Sequence, residues 1–559
     1  MEIHLFNHPF FPETAGFRIK NKWHKKGPGR FLHTMKQILR RFNPSPKLLL
    51  ISIILFSLQG RSLPAVEKND DLENFFSTFE KSIRKVTLDN GLRLIMVKRS
   101  YAPTVACYIK FRAGGVDETD QSAGIAHMLE HMLFKGTRQI GTVNYKKEQK
   151  YIELVNTWAA RRDRWTREEL AAIAEGNSER AQKAAEEKEK WQKRLSGMTK
   201  LARQFIILDE DSNIYSMHGQ QGYNAYTSKD LTNYQIQLPA NKLELWARLE
   251  SDRIQNSVLR DFYTERNVVA EERRMRVDNV SKNLLFETFI KEIYGDHPYG
   301  RSLIGSMDSI QNLNYEQAME FYKTYYAPNN TVITLVGDID FQKTESLINN
   351  YFGNLKSRNI PEANIESLPQ KKAQVVLKKN GSPVHILAWT KPVFPDPDDL
   401  RLQVASRILS DGSNSRLFKS LVVEKKIAAS TGSYVGYPGE RYTNLFMIMS
   451  VPASGRTHDE LEEAALLEIK KMADSGVTEE ELKRTVNKLE AEFIYSLRSN
   501  AHLADEISYY ELITGDYKNI YSYISELKTM TAKDVQESVQ KHLMPESVHT
   551  ARLIQGGAQ

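Results

Sequence analysis

Residues 123–134, AGIAHMLEHMLF, set two histidines and a glutamate into an otherwise apolar run. Ile125, Ala126, Leu129, Met132 and Leu133 recur at helical spacing, which predicts a buried helix. On a helix, positions i and i+4 share a face, so His127 and His131 aim two imidazoles at one point. Glu130 stands three residues from His127 on the same side. The plain alternative is a core helix whose histidines are satisfied by hydrogen bonds. Burying an unpaired carboxylate beside them is costly, however, and a cation removes that cost, so the metal reading is preferred. Cys107 is the single cysteine, which excludes an internal disulfide and a thiolate cluster and leaves nitrogen and oxygen donors. Zinc suits such donors, and the water it holds is acidified to a pKa of about 7, within reach of a carboxylate base such as Glu130.

With 559 residues and 41% apolar composition, the chain is long enough for two or more cores, since one core rarely grows past roughly 250–300 residues. The net charge of +7 does not imply nucleic acid, because much of the excess lies before Pro46. Residues 1–65 read as an N-terminal extension with a secretory-signal pattern. From Met35 a basic start (Lys36, Arg40, Arg41, Lys47) leads into an apolar centre, Leu48 to Leu58, and then turn-forming residues. The centre is short of the roughly 20 residues a membrane helix needs. Export, to the periplasm, is the expectation, with a membrane anchor at residues 48–58 if the segment stays uncleaved. No cysteine stands directly after the run, which argues against a lipoprotein.

From Arg84 the pattern is globular. VTLDNGLRLIMVKRS predicts two strands about an Asp89-Asn90-Gly91 turn, and TVACYIKFRAGG a third, all antiparallel in one sheet. Residues 145–205 are rich in lysine, arginine, glutamate and alanine, lack proline and break at Gly176-Asn177, which predicts a charged helical hairpin. Ile152, Val155, Trp158, Trp165, Leu170, Trp191, Leu195 and Met198 are available to pack its two helices together. GYNAYTSKDLTNYQIQLP predicts two short strands, ERNVVAEERRMRVDN a helix, and TVITLVGDI a strand. The polar, proline-bearing stretch 355–373 reads as a linker between a domain at 84–354 and a second at 374–559. In the second, QVVLKKN, HILAWTKP and YTNLFMIMSVPAS read as strands, LRLQVASRILS as a helix and the tail as mostly helices. The recurrence of strand pair, helix, strand and helices predicts an α+β protein of two homologous domains, each an antiparallel sheet packed with helices.

The order HxxEH is that of the inverted zincins. GGVDETDQSAGIAHMLEHMLFKGT, GYNAYTS, ERNVVAEERRMRVDN, HPYGRSLIG and YYAPNNTVITLVGDID stand in the order of the pitrilysin and insulinase family of metallopeptidases, which this chain resembles over most of residues 84–345. The second half resembles the partner domain of processing-peptidase-like members. The resemblance implies a zinc-dependent peptidase with one Zn2+ per chain, held by His127, His131 and a glutamate on a second helix. That glutamate follows another by seven residues in the family, which points to Glu272 as ligand and Glu265 as the group that orients the site. Glu271 is the competing choice, and without HxxEH the acidic run would read as a solvated face. The resemblance also makes Asn224, Ala225 and Tyr226 a substrate-binding edge strand.

The chain departs from the family at two points. Positions 132–271 put 140 residues between His131 and Glu272, far more than the family spacing, and the hairpin accounts for the surplus if its ends lie close together. Single-chain members carry an arginine and, seven residues on, a tyrosine in the second half, where this chain has Val422 and Ala429. Neither can stabilise an oxyanion. A dimer is therefore expected, with a second family subunit able to supply the pair; Tyr434 is the substitute within the chain. The rival is a non-catalytic or partner-dependent scaffold subunit of a two-chain peptidase.

Overall fold

The computed structural model describes residues 79–363, 365, 368 and 371–556, and those from Ser82 onward belong to one compact unit. The signal-like segment and residues 48–58 lie outside the described residues. Two sheets organise the fold. The first contains β1 (Ile83–Thr87), β2 (Arg93–Lys98), β3 (Thr104–Phe111), β4 (Gln221–Thr227), β5 (Thr232–Pro239) and β6 (Thr331–Gly337), in the order β1-β2-β6-β3-β5-β4. The second contains β7 (Gln374–Lys378), β8 (Val384–Lys391), β9 (Ala428–Tyr437), β10 (Asn444–Pro452) and β11 (His549–Ile554), in the order β7-β11-β8-β10-β9.

The sequence predicts an antiparallel sheet in each half, but each sheet contains one parallel pair: β2 runs parallel to β6, and β7 parallel to β11. Each late strand returns after a long helical excursion and inserts between two early strands, a pairing that local sequence does not encode. Once β1 is set aside, the two sheets share one order and one set of directions. The chain is thus α+β with a repeated topology.

The helices that build the site and its supports are α1 (Ile125–Leu133), α2 (Tyr145–Ala174), α3 (Ser178–Ala202), α4 (Phe262–Arg273), α5 (Ser281–Tyr294), α6 (Pro397–Ser410) and α7 (Asn500–Thr514). Every residue of α1 is buried. Its first turn is capped by Glu118, whose carboxylate accepts from the Gly124 and Ala126 N–H groups at 3.0 and 2.9 Å. Gly124 has φ +96°, and a Cβ there would lie 2.6 Å from the Ile304 carbonyl, so no other residue fits the turn into α1.

On β3, Val105, Cys107, Ile109 and Phe111 face the main core with α1, while Lys110, fully buried, pairs with Asp505 of α7. Reciprocally, Leu285, Phe289 and Ile293 of α5 pack on Val384, Ile386 and Ala388 of β8. Each sequence half therefore lends one helix to the other half's sheet, and the linear boundary at 355–373 does not separate two independent cores.

The hairpin is present as α2 and α3, and its ends do meet: Val143 N–H donates to Phe205 O at 2.9 Å, and Ile207 N–H to Gly141 O at 3.1 Å. Val155, Ala159, Leu195 and Ala202 join the main core, so the base of the hairpin is not peripheral. Leu170, read from the sequence as part of the hairpin seam, is 61% exposed.

Candidate metal centre

α1 packs against α4, and this contact brings the remote acidic residues to the histidines. Glu272 Oε2 lies 3.8 Å from His127 Nε2 and 3.5 Å from His131 Nε2. The ligand atoms of His127, His131 and Glu272 all fall within 4.8 Å of one another, and all three residues are buried. Glu271 instead faces solvent, its side chain 64% exposed, and pairs with Arg274.

Around this trio the side chains are tied down. Glu265, nearly two turns before Glu272 on the same face, meets His131 Nδ1 at 2.9 Å and Lys135 Nζ at 2.7 Å. Arg276 holds the other oxygen of Glu272 at 3.1 Å. Thr227 Oγ1 donates to Glu130 Oε2 at 2.6 Å, joining the edge strand β4 to α1.

The electrostatics follow from burial. Burial holds His127 well below the usual imidazole range, with His131 and Arg276 adding to the effect, which favours the neutral ring with one nitrogen lone pair available. Burial pushes the Glu130 carboxyl up, and the Thr227 hydrogen bond counters it. Burial also acts upward on Glu265, but the bonds from His131 and Lys135 outweigh it and hold that carboxyl below its ordinary value.

Both ring nitrogens of His127 and Oε1 of Glu130 are buried without a hydrogen-bond partner. Native interiors rarely leave such groups unmatched, and three such atoms within one helical turn are consistent with a ligand. Two imidazoles and a carboxylate, with a carboxylate behind one ring, fit a divalent ion of the zinc type.

Asn224, Ala225 and Tyr226 lie on β4, which is an edge of the first sheet. The Ala225 side chain is buried, and the Tyr226 hydroxyl accepts from Lys110 at 2.7 Å and donates to Asp505 at 3.0 Å. It is thus the strand's backbone edge, not these two side chains, that is open to a second strand. Sequence reading missed Thr227, Lys135, Arg276 and the cap Glu118. Strand parity was the available signal for Thr227, because it shares a face with Ala225. Val422 is half-buried against the second sheet's core and Ala429 is exposed at the start of β9. Tyr434, also on β9, packs among the apolar residues between that sheet and α5, and burial pushes its hydroxyl up to about 12.

The two-sheet frame and an inverted HxxEH helix define a class, the M16-like peptidase fold. Within it, the chain belongs to the insulinase family (peptidase family M16), whose model matches residues 93–163 and 211–307, while the model described as the M16 inactive domain matches 312–489. The matched residues break off at Asp163 and resume at Asp211, so the added segment begins inside α2, later than the start at 145 read from composition; one unbroken helix hides the join.

Among relatives, the chain is 27% identical to the zinc protease PqqE of Helicobacter pylori, over 80% of this chain and 88% of that one. A protease structure from Helicobacter pylori shares the fold at TM-score 0.69 and 24% identity, covering 84% of this chain and 99% of that one. The periplasmic protease PqqL from Escherichia coli shares it at TM-score 0.60 and 17% identity, covering 85% of this chain and 48% of that one.

Proposed function

We propose that this chain is a zinc-dependent endopeptidase or oligopeptidase that hydrolyses peptides or small unfolded proteins. The observation that carries the reading is the convergence of His127, His131 and Glu272 within 4.8 Å, beside a Glu130 oxygen that has no partner. His127, His131 and Glu272 hold one Zn2+ per chain. The bound ion supplies polarisation of the scissile carbonyl and acidifies the attacking water.

The chain's own residues do the rest. Glu130 takes the water's proton at Oε1 and passes it to the departing amine, while Thr227 fixes its other oxygen. Glu265 holds His131 by Nδ1, which turns Nε2 towards Glu272. The backbone of β4 at Asn224, Ala225 and Tyr226 pairs with an extended peptide, which selects conformation over sequence.

Glu130→Gln, which keeps the shape and removes the base, tests this reading: zinc retained with peptide hydrolysis lost supports it, and undiminished turnover refutes it. A second reading has its own support. Val422 and Ala429 offer no group for the oxyanion, so a partner-dependent subunit of a two-chain peptidase, completed in a dimer by another family member's arginine and tyrosine, is favoured if purified chain hydrolyses peptides only after that member is added. Among the described residues no helix is long and apolar enough to cross a membrane. The signal-like pattern at Met35 and the periplasmic neighbour support export to the periplasm.

A further inference from the structure

The segment that the family model passes over, residues 164–210, is not an ornament on the surface. Arg203, just beyond α3, reaches the start of α4: its guanidinium donates twice to one oxygen of Asp261, at 3.0 and 2.7 Å, and to Thr264 Oγ1 at 3.0 Å. Thr264 in turn donates to the other Asp261 oxygen at 2.6 Å. At the point where the added segment departs from α2, Asp163 receives a fork from Arg266 of α4 at 3.0 and 3.3 Å, and Arg266 also donates to the Leu313 carbonyl at 2.7 Å. Both partners of this pair are nearly buried. Glu265 lies between the two anchors. Leu195 and Ala202 lock the same stretch of α3 into the main core.

The tip behaves differently. Its ion pairs, Arg180 with Glu168 and Glu175 and Lys188 with Glu169, join hairpin to hairpin only, and Leu170 and Ile173 are open to solvent.

We propose that the base of the added hairpin is a positioning element for the metal centre, with Asp163 and Arg203 fixing the rotation of α4 so that Glu265 and Glu272 face the histidines. This rests on the zinc reading of the centre. A carboxylate sits about 5 Å from its helix axis, so a turn of about 15° displaces it by more than ~1 Å. A site of this kind tolerates about 0.5 Å.

The test compares three forms of the full chain: wild type, Asp163→Asn/Arg203→Ala, and a form in which residues 166–188 are replaced by a short Gly-Asn turn. Zinc affinity is read by competition with a chromophoric chelator, and backbone amide exchange over residues 262–273 is read in the zinc-free chain. The double variant should bind zinc about 10-fold more weakly, with faster exchange confined to α4; the tip deletion should match wild type in both readouts, and Asp163→Glu should retain wild-type affinity. Should the double variant not fold, Arg203→Ala alone, at a half-exposed position, is read in the same way. Wild-type values in the double variant overturn the proposal, as does a tip deletion as damaging as the base variants. If wild type binds no zinc yet α4 exchange still rises in the double variant, the positioning role stands and the zinc reading falls.

Discussion

Arg260, in the turn that leads into α4, is 1% exposed and holds four acceptors together. Its guanidinium donates to Glu148 of α2 at 2.7 Å, to the Lys135 and Ile140 carbonyls at 2.8 and 3.1 Å, and to the Thr137 carbonyl. The residues on either side of it, Leu259 and Asp261, are non-glycines at φ +50° and +56°. Such conformations cost about 1–2 kcal/mol each and persist only where the surroundings impose them. Arg260→Met keeps the volume and removes the charge. Glu148, also 1% exposed, then loses its cation, at a cost of about 3–5 kcal/mol. Ile140 O still accepts from Thr137 N–H, but the other carbonyls lose a donor and add about 1–3 kcal/mol. The expected loss of ~4–8 kcal/mol is comparable to the whole stability of a domain, about 5–15 kcal/mol. Pairing the change with Glu148→Met removes the stranded charge and should recover about 2–3 kcal/mol, a coupling read from a double-mutant cycle. The assay is urea unfolding followed by tryptophan fluorescence and far-UV circular dichroism, read where the two probes coincide. An Arg260→Met loss below about 1 kcal/mol, or a double variant no more stable than the single, would refute the reasoning.

Glu265→Ala removes the acceptor behind His131 and should weaken zinc binding by about 10-fold or more; a titration superposable on wild type contradicts the orienting role. Burial, reinforced by Asp505, raises Glu506 from an ordinary value of 4.5 to about 7 in the fold. The folded chain therefore keeps a proton that the unfolded chain has lost, and stability contributed by this group falls as pH rises from 4.5 to 7. Glu506→Gln should flatten that slope in melting temperature against pH, and an unchanged slope counts against it. His385 has the opposite sign: burial lowers it from 6.5 to about 3, so its contribution is lost as pH falls through that window, and His385→Gln should soften the loss. Because α5 and α7 are exchanged between the sheets, chains cut in the linker near residue 360 should fold together on co-expression and aggregate apart; a monomeric, cooperatively melting half expressed alone would show that the exchange is dispensable.

The parts of this molecule that sequence discloses are those set by neighbours in the chain. His127, Glu130 and His131 are joined by one helical turn, and the hairpin by its charge pattern and the break at Gly176-Asn177. Glu272 is different. No local rule separates it from Glu271, and only the rotation of α4 sends one inward and the other to solvent. The register of β6 beside β2 and of β11 beside β7 is set by packing at long range. β9 was overlooked because AASTGSYVGY lacks the large β-branched alternation that marks a half-buried strand, and β11 because six residues at the end of a helical tail carry little periodic signal. The helix exchange is invisible for the same reason: an amphipathic face states that it is buried, not which sheet buries it.

The repeat itself shows what separates a site from a scaffold. In the first sheet, the helix after β3 meets the edge strand β4 through Thr227 and the Glu130 carboxylate. In the second, β8 and β9 take the places of β3 and β4, and the helix after β8 is α6. There the corresponding join is made by Ser406 and Ser433, 2.8 Å apart, with Ser410 hydroxyl 2.9 Å from Ser433. A hydroxyl both donates and accepts, so this cluster satisfies itself: Ser433 also donates to the Ser406 carbonyl at 2.7 Å. In the first half, by contrast, Glu130 Oε1 and both His127 ring nitrogens are buried without a hydrogen-bond partner. The same helix-to-edge junction is therefore satisfied within itself in one half and leaves buried polar atoms unmatched in the other, on a strand order and direction common to both.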